Sequence, residues 1–385
     1  MTTSASFSSI PRPPSIRSRR VEDINGLSMH VLEAGFEREG RPCILLLHGF
    51  PELAFSWRKV MPALAAAGYH VIAPDQRGYG RTTGWSADYD GDLAPFRLTN
   101  LVRDTLGLAY AFGHRKVDAV IGHDFGSLVA AWCAVIRPDI FRSVVMMSTP
   151  FAGPPSLPFG TVDKPPAARA EDPVHRALAA LPQPRKHYQG YYSTRQANAD
   201  MHRPPQGLHA FLRGYYHHKS ADWPGNRPYP LQAWTAEELA KLPTYYVMDL
   251  DKTMAETVAE VMPDSRAIAA NNWLPDSELA FYSAEYERTG FQGGLQWYRC
   301  GTSRLFDAEL QTWSDRRIEI PSAFISGKQD WGTYQKPGTF EAMQTRVCTN
   351  MVLCELIDGA GHWVQQEQAE VVNELLLGFM NRLTG

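Results

Sequence analysis

The stretch Val117-Asp118-Ala119-Val120-Ile121-Gly122-His123-Asp124-Phe125-Gly126 decides the fold. Its first five residues form a short apolar, β-rich run, and apolar residues at helical spacing follow from Leu128 to Ile136. Between them lies a Gly-x-Asp-x-Gly turn, the arrangement that lifts a nucleophile off the end of a strand at the start of a helix. The glycines allow the tight backbone and the close helix–strand approach. An Asp that only capped a helix would fit the spacing too, but the strand before it and the helix after it supply the context that the nucleophile turn requires. With Asp124 in place of Ser or Cys the chemistry changes. A carboxylate attacks saturated carbon and forms an ester on the protein, and the helix dipole favours its ionised form.

Similar signals extend outward. Cys43 to Leu47, Tyr69 to Ala73 and Ser143 to Met147 are continuous apolar runs with few charges, as expected of strands buried on both faces of a parallel sheet. Leu98 to Phe112 is spaced as a helix. Strand–helix alternation of this kind predicts an α/β layer fold. At Thr149-Pro150 the pattern changes to a Pro-, Tyr-, Trp- and His-rich part with helices at Thr253 to Val261 and Ser277 to Tyr286. The strand signal resumes at Ser322 to Ser326 and Met351 to Ile357, and an amphipathic helix follows from about Gln368 to Leu383. The expected organisation is a flexible tail (1–20), a first core part (21–150), an inserted helical lid (151–316) and a second core part (317–385).

Two further residues answer the needs of Asp124. Hydrolysing an ester takes a base and a group to orient it. Asp330 ends the segment Gly327-Lys328-Gln329-Asp330 after one strand, and His362 lies in Gly359-Ala360-Gly361-His362-Trp363 after the last. Sites of open α/β sheets gather at the C-terminal strand ends, so the three residues are expected to converge. The other acid position of such sites, after the strand ending near Met147, reads Ser148-Thr149-Pro150 and offers no carboxylate. His48-Gly49-Phe50-Pro51 follows the first buried strand, and the backbone N–H groups of Phe50 and Phe125 are the expected oxyanion hole.

Composition excludes several other classes. The 385 residues are 44% hydrophobic and 21% charged with net charge −3, which gives no reason to expect a nucleic-acid or anionic-membrane partner. No apolar run approaches the roughly 18 residues of a membrane span. The five cysteines lack CxxC spacing, arguing against a disulfide framework or zinc site and for a reducing, cytoplasmic setting. His217-His218 and the other histidines of the insertion lack ligand spacing, so no metal is expected. The N-terminus carries Arg and Ser, as targeting segments do, but Pro11, Pro13 and Pro14 would break the helix such a segment needs. Oligomeric state is not legible.

With these motifs quoted, and with Asp75-Gln76-Arg77-Gly78-Tyr79-Gly80 beside them, the chain from about Val21 to its C-terminus resembles the soluble epoxide hydrolases of the α/β-hydrolase fold. The insertion carries the more specific match. The segment from Tyr286 to Arg299 is similar to the lid segment that holds one catalytic tyrosine, here Tyr298. His187-Tyr188-Gln189-Gly190-Tyr191-Tyr192 is similar to the one that holds the other, here Tyr188, with Tyr191 or Tyr192 as substitutes if the register differs. Two phenols opposite Asp124 could hydrogen-bond the alkoxide that ring opening develops and give it a proton. The resemblance implies conversion of an epoxide and water to a vicinal diol with no cofactor, and a pocket lined by Phe125, Trp331 and Gln189. Phe125 stands where many relatives have Trp. Haloalkane dehalogenases share the Asp nucleophile but hold halide with an indole N–H there, and Phe has no such donor. A dehalogenase and a non-catalytic small-molecule receptor on the same fold are the alternatives.

Overall fold

The computed structural model describes residues 9–158, 163 and 173–384. Its centre is an eight-stranded sheet built from β1 (Ile16–Ile24), β2 (Leu27–Ala34), β3 (Cys43–Leu47), β4 (His70–Pro74), β5 (Ala119–His123) and β6 (Val144–Met147). Two short strands, β7 (Arg185–His187) and β8 (Val247–Asp249), pair separately, and β9 (Ser322–Gly327) and β10 (Met351–Ile357) complete the main sheet. The order is β1-β2-β4-β3-β5-β6-β9-β10. Strands β4 to β10 of that order run parallel, while β2 is antiparallel to both of its neighbours.

The continuous apolar runs are explained by the two faces they serve. Leu45, Leu47, Val120, Val144, Met146 and Phe324 point to one side, into a core shared with the Leu98–Ala111 and Phe125–Ile136 helices and with the insertion. Ile44, Leu46, Ile121, Val145, Met147 and Ile325 point to the other, against Trp57, Leu64, Leu376 and Phe379. Side chains alternate along a strand, so burial on both faces demands an apolar residue at every position.

Two boundaries differ from expectation. Strand β5 begins at Ala119, not Val117, and runs on to His123, because Gly122 and His123 pair with Leu47 and Met147. Val117 keeps only an isolated bridge to Phe141. The expected tail, 1–20, also ends sooner. Ile16–Arg20 belong to β1, which pairs with β2 and carries Arg17 on the buried Glu33 at 2.8 Å. An arginine-rich edge strand looks like a tail in sequence because its charges face water and guard the sheet edge. Residues 1–8 lie outside the described chain.

Between β6 and β9 the described chain is mainly helical and sits over the C-terminal strand ends, with β7 and β8 as its short antiparallel pair. Many bonds join it to the core. Arg81 pairs with Glu285 through two bonds of 2.8 and 2.7 Å, the Trp297 indole donates to the Arg77 carbonyl at 2.9 Å, and the Tyr216 hydroxyl donates to the Pro51 carbonyl at 3.0 Å. Gly78 and Gly293 meet backbone to backbone, where a Cβ on either would overlap the other's main chain. No helix among the described residues is long and apolar enough to cross a membrane.

Candidate active site

Asp124 stands on the turn between β5 and the Phe125–Ile136 helix with φ 53° and ψ −119°, a conformation that L-residues avoid. The neighbouring glycines make it possible. A Cβ on Gly122 would overlap the Gly126 carbonyl, one on Gly126 would overlap the carbonyls of Leu47 and His48, and one on Gly49 would strike Asp124 itself. Backbone strain of this kind is sustained only where the surroundings over-determine it. The result is a carboxylate held at the start of a helix and almost wholly buried.

Its two oxygens face different partners. Oδ1 accepts the backbone N–H of Phe50 at 2.9 Å, and Oδ2 lies 3.3 Å from His362 Nε2. The other imidazole nitrogen, Nδ1, lies 3.1 and 3.3 Å from the Asp330 oxygens. Asp330 is oriented in turn by the Gly332 amide at 2.7 Å and the Ser326 hydroxyl at 3.2 Å. The structure thus brings Asp124, His362 and Asp330 into one line, each from beyond its own strand. Burial opposes ionisation of both carboxyls. At Asp124 the His362 ring, Lys219 and His123 overcome it and hold the carboxyl well below the usual range, and at Asp330 His362 and the Gly332 amide do the same. Among the described residues, no hydrogen bond joins the Phe125 amide to the Asp124 carboxylate. As the first residue of its helix, Phe125 carries an N–H with no partner within that helix.

Tyr188 and Tyr298 come from separate lid helices, Tyr188–Tyr192 and Gln292–Ser303, and meet with ring centroids 5.9 Å apart. Tyr298 sits edge-on to Phe125 and to Phe50, each at 5.4 Å. Burial first, and then the negative charge of Asp124, push both phenols well above their ordinary acidity range, so both stay neutral donors within the field of that carboxylate. The Tyr188 hydroxyl donates to Gln335 at 3.3 Å and accepts from Gln189 at 3.2 Å. Tyr191 is instead committed to Asp200 at 2.8 Å, and Tyr192 donates to Tyr215 at 3.1 Å. Gln189 therefore reaches the site through Tyr188. Trp331, next to Asp330, is buried and packs edge-on against Tyr229 at 5.0 Å.

Sequence reasoning missed the supports beneath these groups. His123 Nδ1 meets Glu52 at 2.5 Å, while its Nε2 lies 2.7 Å from the His362 carbonyl oxygen and 3.1 Å from Ser148. Burial would keep the ring neutral, but Glu52 raises its proton affinity and makes it the donor to that carbonyl. On the other side, the half-buried Glu367 accepts from the amides of Gly361 and Trp363, both at 2.9 Å, and from Ala221 of the lid at 2.8 Å. The His362 amide donates to the Lys219 carbonyl at 2.9 Å. Every amide from Gly361 to Trp363 is thus engaged, and lid and histidine loop share one clamp. Gln365, Gln366 and Glu367 stand close behind His362 in sequence, which was the available signal. Among the described residues, no group of three or more His, Cys, Asp or Glu side chains could hold a metal ion.

Comparison with known proteins agrees with this architecture. Residues 42–369 match the α/β-hydrolase fold family. The chain is 32% identical to epoxide hydrolase A of Mycobacterium tuberculosis over 370 residues, covering 95% of this chain and 98% of that one. An epoxide hydrolase from an endophytic Streptomyces superposes with a TM-score of 0.75 at 28% identity, covering 97% of each chain. Potato (Solanum tuberosum) epoxide hydrolase I does so with a TM-score of 0.70 at 27% identity, over 95% of this chain and 99% of its own. The chain belongs to the epoxide hydrolases of the α/β-hydrolase fold.

Proposed function

We propose that the protein converts an epoxide and water to a vicinal diol through a covalent ester on Asp124. In the first step Asp124 Oδ2 bonds to one ring carbon and the ring C–O bond breaks. Tyr188 and Tyr298 hydrogen-bond the departing oxygen, and one of them gives it a proton. In the second step His362, oriented by Asp330, takes a proton from water, and the hydroxide adds to the Asp124 carboxyl carbon. The oxyanion forms on Oδ1, beside the Phe50 amide and within reach of the start of the helix at Phe125. Collapse releases the diol and restores the carboxylate, and the proton on His362 returns to the tyrosine pair. Phe125, Gln189 and Trp331 line the substrate pocket in this reading.

The observation that carries the proposal is one buried carboxylate that has two kinds of partner. A base stands 3.3 Å from Oδ2, and two neutral phenols from the lid share its field. Phe125 supplies no side-chain N–H, which favours an oxygen leaving group over halide. The test is His362→Gln. With an aryl or alkyl epoxide, this variant is expected to retain ring opening and to accumulate the substrate's mass on the peptide that contains Asp124. Bound substrate without an adduct, or an adduct on another peptide, would overturn the mechanism; so would halide release by the wild-type protein from haloalkanes with no diol from epoxides.

A further inference from the structure

The Tyr188 hydroxyl is held from both halves of the molecule. Gln189, next to it on the same lid helix, donates from Nε2 into the phenol oxygen at 3.2 Å. Gln335 belongs to the core and is half-buried in the loop beyond Asp330, where its Oε1 accepts the phenol O–H at 3.3 Å. The other end of the amide sets the direction of that bond. Its Nε2 faces the Gly332 carbonyl at 3.5 Å, and a reversed amide would set oxygen against oxygen there. The amide of the same Gly332 holds Asp330 at 2.7 Å, so one short loop serves both the acid and the phenol. Among the described residues Gln335 is the one acceptor of the Tyr188 O–H.

Gln335 is not needed to place the ring. Tyr188 already packs against Tyr192, Tyr246 and Tyr298 at centroid distances of 5.4, 5.1 and 5.9 Å. What the amide adds is a destination for the O–H in the empty site. An epoxide oxygen that enters must displace it. Amide and epoxide oxygens are both neutral acceptors, so the exchange gains little while the ring is closed. The balance shifts as the ring opens, because the departing oxygen gathers negative charge and charge-assisted hydrogen bonds are roughly twice as strong. An interaction made chiefly in the transition state raises the rate and not the affinity.

We infer that Gln335 is a positioning residue for ring opening, holding the Tyr188 O–H in the empty site and giving it up to the departing oxygen as charge grows there. This rests on the Asp124 ester and on the donor role of Tyr188 proposed above. Without the amide oxygen, the phenol would meet the closed epoxide with an unpaired donor. Its hydrogen bond would then be made in the bound substrate already, which tightens binding without speeding the bond-breaking step.

The experiment is single-turnover ester formation by the full-length protein over a range of styrene oxide concentrations, with ester decay measured alongside. Gln335→Met keeps the size and removes the acceptor. Its half-saturating concentration should fall by about two- to tenfold, the worth of one neutral hydrogen bond, with the saturating formation rate and ester decay nearly unchanged. In Gln335→Glu, above neutral pH, a charged acceptor holds the O–H more firmly, and the saturating formation rate should fall by about tenfold with decay unchanged. In a Tyr188→Phe background neither substitution should alter formation, because the hydroxyl on which both act is gone. A merely structural glutamine would act alike with and without that hydroxyl, and such a result overturns the inference. So does an unchanged or raised half-saturating concentration in folded Gln335→Met, or wild-type formation in Gln335→Glu. If the Met variant does not fold, Gln335→Leu takes its place. No adduct on Asp124 in the wild type, or undiminished formation in Tyr188→Phe alone, would instead remove the reading on which the inference rests.

Discussion

Tyr188 and Tyr298 are held by different means. Glutamines fix the Tyr188 hydroxyl on two sides, whereas no described residue hydrogen-bonds the Tyr298 hydroxyl, and its ring is set by edge contacts with Phe50, Phe125 and Tyr192. Tyr298→Phe therefore removes a donor while leaving the packing in place. Ester formation is expected to slow by about 10²-fold, the usual worth of a general acid, with ester decay and melting temperature nearly unchanged. Stopped-flow tryptophan fluorescence and a thermal melt would check this, and equal slowing of both steps would refute the division of labour. At this scale the convergence of Asp124, His362 and Asp330 was legible, because each follows a strand and the strand order brings such ends together. Lys219, Glu52 and Glu367 were not. Their roles come from contacts between segments far apart in sequence, 71 residues for Glu52 with His123 and 146 for Glu367 with Ala221, and a lone Lys or Glu carries no spacing that reports such a contact.

Elements repeat the contrast. The apolar runs of β3 and β6 read directly because both faces of the sheet are covered there, while the first part of β1 read as tail because its outward face is charged. The lid helices were legible in part, but nothing in the periodicity told where the lid touches the core. The Gln292–Ser303 helix shows why. Gly293 has no room for a Cβ against Gly78, whereas Gly301 in the same helix faces open space. Gly293→Ala is expected to cost about 1–3 kcal/mol, as overpacking does, and to displace Tyr298 five residues on, so that activity falls with stability. Gly301→Ala should instead stabilise by about 0.5–1 kcal/mol through helix propensity. Urea unfolding of the pair gives opposite signs if the backbone contact sets the lid's seat. Two changes of the same sign would show that it does not.

The whole molecule adds a dependence on acid. Asp75, beyond β4, is buried and bonded to His30 at 2.7 Å and to the amides of Ala54 and Arg81, both at 2.9 Å. Burial opposes its ionisation, but His30 and the Arg81 amide lower its carboxyl to about 2. A depressed carboxyl contributes stability above its unfolded value near 4 and loses it as pH falls through the folded value. Urea midpoints should therefore drop between about pH 4 and pH 2, by roughly 2 kcal/mol for this group, and Asp75→Asn should flatten that part of the curve. A midpoint insensitive to the substitution across that range would show that the group titrates alike folded and unfolded. The clamp on the histidine loop has a different reach. Glu367 binds the amides of Gly361, Trp363 and Ala221, and the Lys219 carbonyl takes that of His362, so the lid supplies part of the frame for a residue of the core. A chimera that grafts a relative's lid onto this protein must therefore keep Lys219–Ala221 with its own histidine loop. Splice sites chosen at the visible seam between the two layers would exchange a piece of His362's mounting along with the lid.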